Sequence, residues 1–171
     1  MVRWLILQKL ASVERELGVS VEYLRHILGV SLGAFLKFTK IVNLVGYRRV
    51  LPPGPFHVSQ IVATRDADCG TCLQIAVRVA RKAGVSAEII RAILESRTTD
   101  LSEELSDVYS FVEAVVKATD TADASRERIR QRYGEAGLVE LALAIGVCRV
   151  LPTTKRALGY AISCSQVKIE V

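Results

Sequence analysis

Asp66-Ala-Asp-Cys-Gly-Thr-Cys-Leu-Gln-Ile-Ala-Val-Arg-Val-Ala-Arg-Lys-Ala-Gly84 decides how this chain reads. From Leu73 to Lys82 the apolar residues Leu73, Ile75, Ala76, Val77, Val79 and Ala80 fall at nearly every turn of a helix, and Gly84 is a natural C-terminal cap. Asp66-Ala-Asp68 forms the turn before it. Cys69 and Cys72 stand three residues apart at the start of that helix, so they share a face and can close a disulfide with little backbone movement. A helix N-terminus favours negative charge and with it the thiolate, the reactive form of cysteine. The stretch therefore predicts a buried helix with redox chemistry at its first turn.

The pattern on either side is also helical. Residues 3–17 carry Trp4, Leu5, Leu7, Leu10 and Leu17 before Gly18. Ser20 can cap a second helix with Tyr23, Leu24, Ile27 and Leu28 on one face, and Leu32, Phe35, Leu36, Thr39 and Val42 form a third stripe. Pro52-Pro-Gly-Pro55 breaks the chain, and a helix from about Pro55 to Ala67 follows with Val58, Ile61 and Val62 inward. Beyond Gly84, Ser86 caps a helix striped by Ile89, Ile90, Ile93 and Leu94. Asp100-Leu-Ser-Glu103 resembles a capping box with Asp in the cap position. Residues 122–133 are polar and Arg-rich, while Gly134 to Val150 is apolar on most faces and reads as central. Pro152 predicts its end, with Thr153 or Thr154 capping a short helix to about Ala161, and Val167 to Val171 alternates like a strand. The fold class is all-α, roughly eight to ten helices in one domain over 1–171. An N-terminal helical layer spans 1–50, and a core with the redox site covers about 51–160.

Composition narrows the function classes. A chain of 171 residues with 50% apolar and 24% charged residues is globular rather than disordered. Only 6% are aromatic, so Leu, Ile, Val and Ala build the core. A net charge of +5 without an aromatic–basic stripe argues against nucleic acid. The start of the chain reads as too short an apolar run for a signal peptide, and no segment reads as the roughly 18 apolar residues of a membrane span. The expected setting is cytoplasmic, where a Cys-x-x-Cys is more often catalytic or metal-binding than structural.

The Cys-x-x-Cys, the helix closing on Ala80-Arg-Lys-Ala-Gly-Val-Ser86, Leu51-Pro52 before an amphipathic helix, and Leu138-Val-Glu-Leu-Ala-Leu-Ala-Ile-Gly146 followed by Ala157-Leu-Gly159 resemble the AhpD-like alkylhydroperoxidases of the carboxymuconolactone decarboxylase superfamily. The resemblance covers about residues 30–160. It implies an AhpD-like helical bundle with the dithiol at the N-terminus of a central helix. It also implies Cys72 as the peroxide-attacking thiol and Cys69 as its resolving partner. The family's pattern places a Glu twelve residues before the first cysteine and a His four after the second. Here those positions hold His57 and Ala76. The resemblance further implies a hydroperoxide substrate, a dithiol or lipoyl-type reductant, a homo-oligomer (trimer or hexamer), and no cofactor.

Ala76 cannot exchange a proton, whereas His57, on the preceding helix, can act as the base for Cys72 if the two helices pack closely. Asp66 and Asp68 place negative charge near Cys69, so Cys69 is expected to be less acidic than Cys72. Other readings stand beside this one. The cysteines can be inert or hold a metal, although Cys148, Cys164, His26 and His57 show no paired ligand spacing for zinc. His57 can be a half-buried histidine bonded to a carbonyl, or the base of a lactone decarboxylase. Thr71 and Gln74 can orient a water. Cys148 reads as a small core residue, and Arg126 to Arg132 as solvated surface or a subunit contact. A non-catalytic scaffold or dithiol carrier is the reading that Ala76 favours.

Overall fold

The computed structural model describes residues 2–162, 170 and 171. Among them are eight α-helices and two 3-10 turns, with no strand. The helices are α1 (Val2–Leu17), α2 (Glu22–Val30), α3 (Leu32–Val42), α4 (Pro53–Asp66), α5 (Gly70–Lys82), α6 (Ala87–Leu94), α7 (Glu103–Val116) and α8 (Ala122–Ala157). The all-α class holds. The expected strand at Val167–Val171 lies largely outside the described residues, as does Cys164.

Helix α4 is the centre of the molecule. Pro53 and Pro55 occupy its first turn, where the missing amide protons cost nothing, and every residue from Pro55 to Thr64 is buried. It packs against α5, α7 and α8, with α6 beside it. The sequence reading gave the central place to Gly134–Val150 instead. That segment buries Gly137, Glu140, Leu141, Ala144, Ile145, Val147 and Cys148, and it leaves Val139 and Leu143 exposed. The polar residues of α4 mask its burial, because they are satisfied internally. Ser59 Oγ donates to the Phe56 carbonyl at 2.7 Å, and Gln60 Nε2 donates to the Val45 carbonyl at 2.6 Å.

Helices α1–α3 form a second apolar cluster around Leu10, Val21, Tyr23, Leu24, Leu28 and Phe35. It meets the main bundle at α5, where Arg78 Nη1 donates to the Leu17 carbonyl at 2.5 Å. The layer ends in a segment anchored by a buried carboxylate on α8. Glu140 accepts the amides of Arg49 (2.7 Å), Val50 (2.7 Å) and Leu51 (3.0 Å).

Two helix boundaries differ from the sequence reading. Ser102, not Asp100, caps α7, since Ser102 Oγ accepts the Leu105 amide and Thr98–Asp100 is a 3-10 turn. Pro152 does not end α8, which continues to Ala157. The Thr153 and Thr154 hydroxyls bond back to the carbonyls of Arg149 (2.7 Å) and Val150 (2.9 Å), supporting the turn around the proline rather than capping a new helix. The break in α8 is at Gly134, with φ 69° and ψ −178°. The arginine run before it is charge-paired. Arg126 meets Asp123, Arg128 meets Asp107, and Arg130 meets Glu127 and Glu135.

By length and composition α8 meets the measure of a membrane-crossing helix, with a mean hydropathy of 1.6 over an 18-residue window. The sequence reading expected no such segment. Of that window 44% is buried inside the protein, and a buried core helix passes the same test.

Burial pushes the Glu140 carboxyl up, but the three amides outweigh it and hold its pKa below the usual carboxylate range. A group with a depressed folded pKa contributes stability above its unfolded value, and that contribution is lost as pH falls through the folded one. Glu140→Ala leaves three amides without an acceptor and is expected to cost about 3 kcal/mol. Urea unfolding at pH 7 measures the loss. Repeating it at pH values falling below about 4 should show the difference shrinking as the wild-type carboxyl protonates.

Candidate active site

The two thiols lie where α4 turns into α5. Asp68 takes a left-handed conformation (φ 47°) and Cys69 an extended one, so the chain reverses within three residues and α5 starts at Gly70. Helix spacing then brings Cys72 Sγ to 2.8 Å from Cys69 Sγ, with both cysteines free. Cys69 is wholly buried and Cys72 is partly exposed. Gly70 N–H donates to the Ile162 carbonyl at 2.8 Å, and Arg156 donates to the carbonyls of Ala67 and Asp68 at 2.9 and 2.8 Å. The turn is thus clamped by the C-terminal end of α8 and the residues after it.

The order of thiol acidity is the reverse of the sequence expectation. The hydrogen bond shared with Cys72 Sγ is the main influence bringing the Cys69 pKa down to about 5, against burial, with the Thr71 hydroxyl (3.6 Å) helping. The Cys72 thiol is pushed up by the same shared hydrogen bond and by desolvation. Asp66 and Asp68 do not reverse this. Asp66 is paired with Arg149, and Asp68 stands 4.0 Å from Arg156. The shared hydrogen bond favours a single negative charge on the pair, with Cys69 the more acidic of the two.

Cys72 opens into a mainly apolar cavity of about 300 Å³. Its walls are Val13 and Leu17 of α1, Tyr23 and Leu24 of α2, Gln60 and Thr64 of α4, Ile75, Ala76 and Val79 of α5, and Cys148, Leu151, Pro152 and Lys155 of α8. Ala76 is on the wall and provides room there, not a proton. Cys148 is buried, and desolvation raises its thiol to about 11. A smaller pocket of about 270 Å³ adjoins, lined by Ser20, Glu22, Tyr23, Thr71, Lys155 and Tyr160 among others.

The structure brings Cys69 and Cys72 together and places His57 elsewhere. His57 is buried, its Nδ1 is 3.0 Å from Gln60 Oε1, and its ring meets Phe56 edge-on. It does not line the cavity, whereas Gln60 does. Desolvation lowers the His57 pKa, which favours the neutral ring. Gln74 is committed to the chain terminus, exchanging hydrogen bonds of 3.0 and 2.8 Å with the Glu170 backbone. His26 pairs with the Tyr160 hydroxyl at 3.0 Å.

Sequence reasoning missed Lys155 and Tyr23. Lys155 is 4% exposed, donates to Thr71 Oγ1 at 2.5 Å, and lies 5.4 Å from the centre of the Tyr23 ring. The available signal was a lysine directly after a threonine pair in a segment that read as a short last helix. Among the described residues, no group of three His, Cys, Asp or Glu side chains gathers to hold a metal ion.

Comparison with protein-family models, with curated proteins and with solved structures found no match to this chain.

A thiolate absorbs in the far ultraviolet where a thiol does not, so the split acidity is directly measurable. With Cys148 and Cys164 replaced by Ser, the first ionisation of the reduced protein is expected near pH 5. Cys72→Ala removes the S–H donor and should move the Cys69 midpoint upward towards the ordinary thiol value of about 8.5. A first ionisation already near that value before the Cys72 change would contradict the hydrogen-bonded pair.

Proposed function

We propose that this chain is a dithiol–disulfide oxidoreductase that reduces organic hydroperoxides through Cys72 and Cys69, in the manner of the AhpD-like alkylhydroperoxidases it resembles. The observation that carries the reading is the pair of free sulfurs 2.8 Å apart, one of them facing an apolar cavity. An inert structural pair has no need of a cavity at one sulfur, and a zinc site needs ligands that these sulfurs do not gather among the described residues.

The chemistry follows from access and charge. Proton transfer from Cys72 to Cys69 places the thiolate on the cavity side. Cys72 Sγ attacks the outer oxygen of ROOH, the O–O bond breaks, and the departing alkoxide takes a proton to leave as ROH. Cys72 is then a sulfenic acid. Cys69 Sγ attacks that sulfur, the S–O bond breaks, and hydroxide leaves as water with a second proton. One of the two protons comes from the pair and the other from solvent, so the sum is ROOH, one thiol, one thiolate and one proton giving ROH, water and one disulfide. The sulfurs need only close from 2.8 Å to the bonded distance of about 2.05 Å. A dithiol or lipoyl-type partner must return two electrons. The proposed setting is the cytoplasm. Assembly into a homo-oligomer is supported by apolar side chains that a single chain leaves exposed, among them Trp4 (60%) and Leu36 (48%).

Ala76 favours a second reading, a dithiol carrier that keeps the disulfide exchange and has lost the peroxide step. Consumption of cumene hydroperoxide with dithiothreitol separates the two. Turnover that falls at least a hundredfold in Cys72→Ser, and less than tenfold in His57→Ala, is the expected result. No turnover by a wild-type protein that still forms and releases its disulfide would leave the carrier.

A further inference from the structure

A buried lysine needs a counter-charge, since an unpaired ammonium out of water is costly. Lys155 is 4% exposed, and among the described residues no carboxylate lies within salt-bridge distance of it. Its Nζ instead donates to Thr71 Oγ1 at 2.5 Å, and the same oxygen stands 3.6 Å from Cys69 Sγ. The Tyr23 ring closes another side.

We propose that the negative charge of the reduced dithiol is the counter-ion of Lys155, which thereby biases the Cys69–Cys72 pair towards its reduced state. The proposal rests on the dithiol being redox-active. Oxidation converts one thiol and one thiolate into a disulfide, with release of two electrons and one proton, so the negative charge disappears. Lys155 is then left buried with a hydroxyl and an aromatic ring. The disulfide is disfavoured by that loss and becomes a readier electron acceptor. Lys155 is a positioning residue here, acting on Cys69 through Thr71.

The other charged and titratable groups around the site do not supply this charge. On α2, Glu22 is bound to Arg25 at 3.4 Å, and the Tyr23 phenol is pushed up by burial, so it stays neutral. In the turn before α5, Asp68 faces Arg156 of α8. Tyr160 pairs with His26. Asp66 is taken by Arg149, and His57 by Gln60.

The test is redox equilibrium with glutathione at pH 7, read by thiol trapping, in a protein with Cys148 and Cys164 replaced by Ser. The exchange converts the protein dithiol and glutathione disulfide into the protein disulfide and two glutathione thiols. Lys155→Met is expected to shift this equilibrium at least tenfold towards the protein disulfide, about 30 mV for a two-electron couple. It should also raise the first thiol ionisation by at least one pH unit, and Lys155→Arg should restore most of both. An equilibrium and an ionisation unchanged in Lys155→Met would overturn the proposal. If that variant does not fold, Thr71→Val cuts the bridge and leaves the lysine. A shift in the same direction is then expected, and no shift overturns the idea. No hydroperoxide enters the measurement. A protein without peroxidase turnover whose equilibrium follows Lys155 would sink the peroxide reading and keep this one. Full turnover with an indifferent equilibrium would do the reverse.

Discussion

The three hydrogen bonds from Arg49, Val50 and Leu51 to Glu140 set the relation between the two parts of the molecule. These amides belong to neither a helix nor a sheet, and unpaired burial would be costly. One carboxylate satisfies all three and fixes the end of the N-terminal layer against α8. Leu51 is buried directly below, and Pro53 starts α4 two residues later. Gly137, one turn before Glu140, permits the approach. A Cβ there would stand 3.4 Å from Leu51 Cδ2 and 2.4 Å from Tyr133 Cβ. The placement of α4 and the roof of the cavity both follow from this fixed crossing.

The cavity is a product of that arrangement. Its roof comes from α1 and α2, its floor from α4, and its walls from α5 and α8. Because α4 is buried all round, it must satisfy its own polar side chains, and two of them, Gln60 and Thr64, face the cavity. Gln60 spends its amide nitrogen on Val45 and its oxygen on His57. An amide so occupied fixes geometry and does not carry protons. Helix and layer therefore supply a mainly apolar lining, and the proton chemistry is left to the sulfurs and to the hydroxyl and ammonium beside them.

Local patterns carried much of the fold. Prolines at 52, 53 and 55 open α4, Gly84 follows α5 with φ 90°, and Ser86 caps α6, as the short-range rules predict. The dithiol was equally plain, because a three-residue spacing at a helix start is a local fact. What the sequence could not display depends on tertiary contacts. Glu140 looked like one charge in an apolar helix until three distant amides met it. Lys155 looked like part of a separate short last helix, since Pro152 suggested a stop that the threonine back-bonds override. Helix α4 carries no clear stripe because no face of it is outside. His57 matched a family position by counting, but counting does not say where a ring points, and Gln60 holds it.

Burial divides the labour between the two sulfurs. The more acidic sulfur, Cys69, is buried off the cavity, and the sulfur that lines the cavity, Cys72, is the one whose thiol is pushed up. A substrate therefore meets a protonated thiol first, and the attack requires the proton to cross a 2.8 Å gap to Cys69. The same gap is then closed by disulfide formation. A proton shared within the pair makes the first step independent of an external base, which is the function a histidine at position 76 would otherwise serve. With Ala76 in that place, the cost of the transfer is set by how well Cys69 bears its negative charge. The groups that set it are the ones around Cys69: the Thr71 hydroxyl, the first turn of α5, and the ammonium of Lys155.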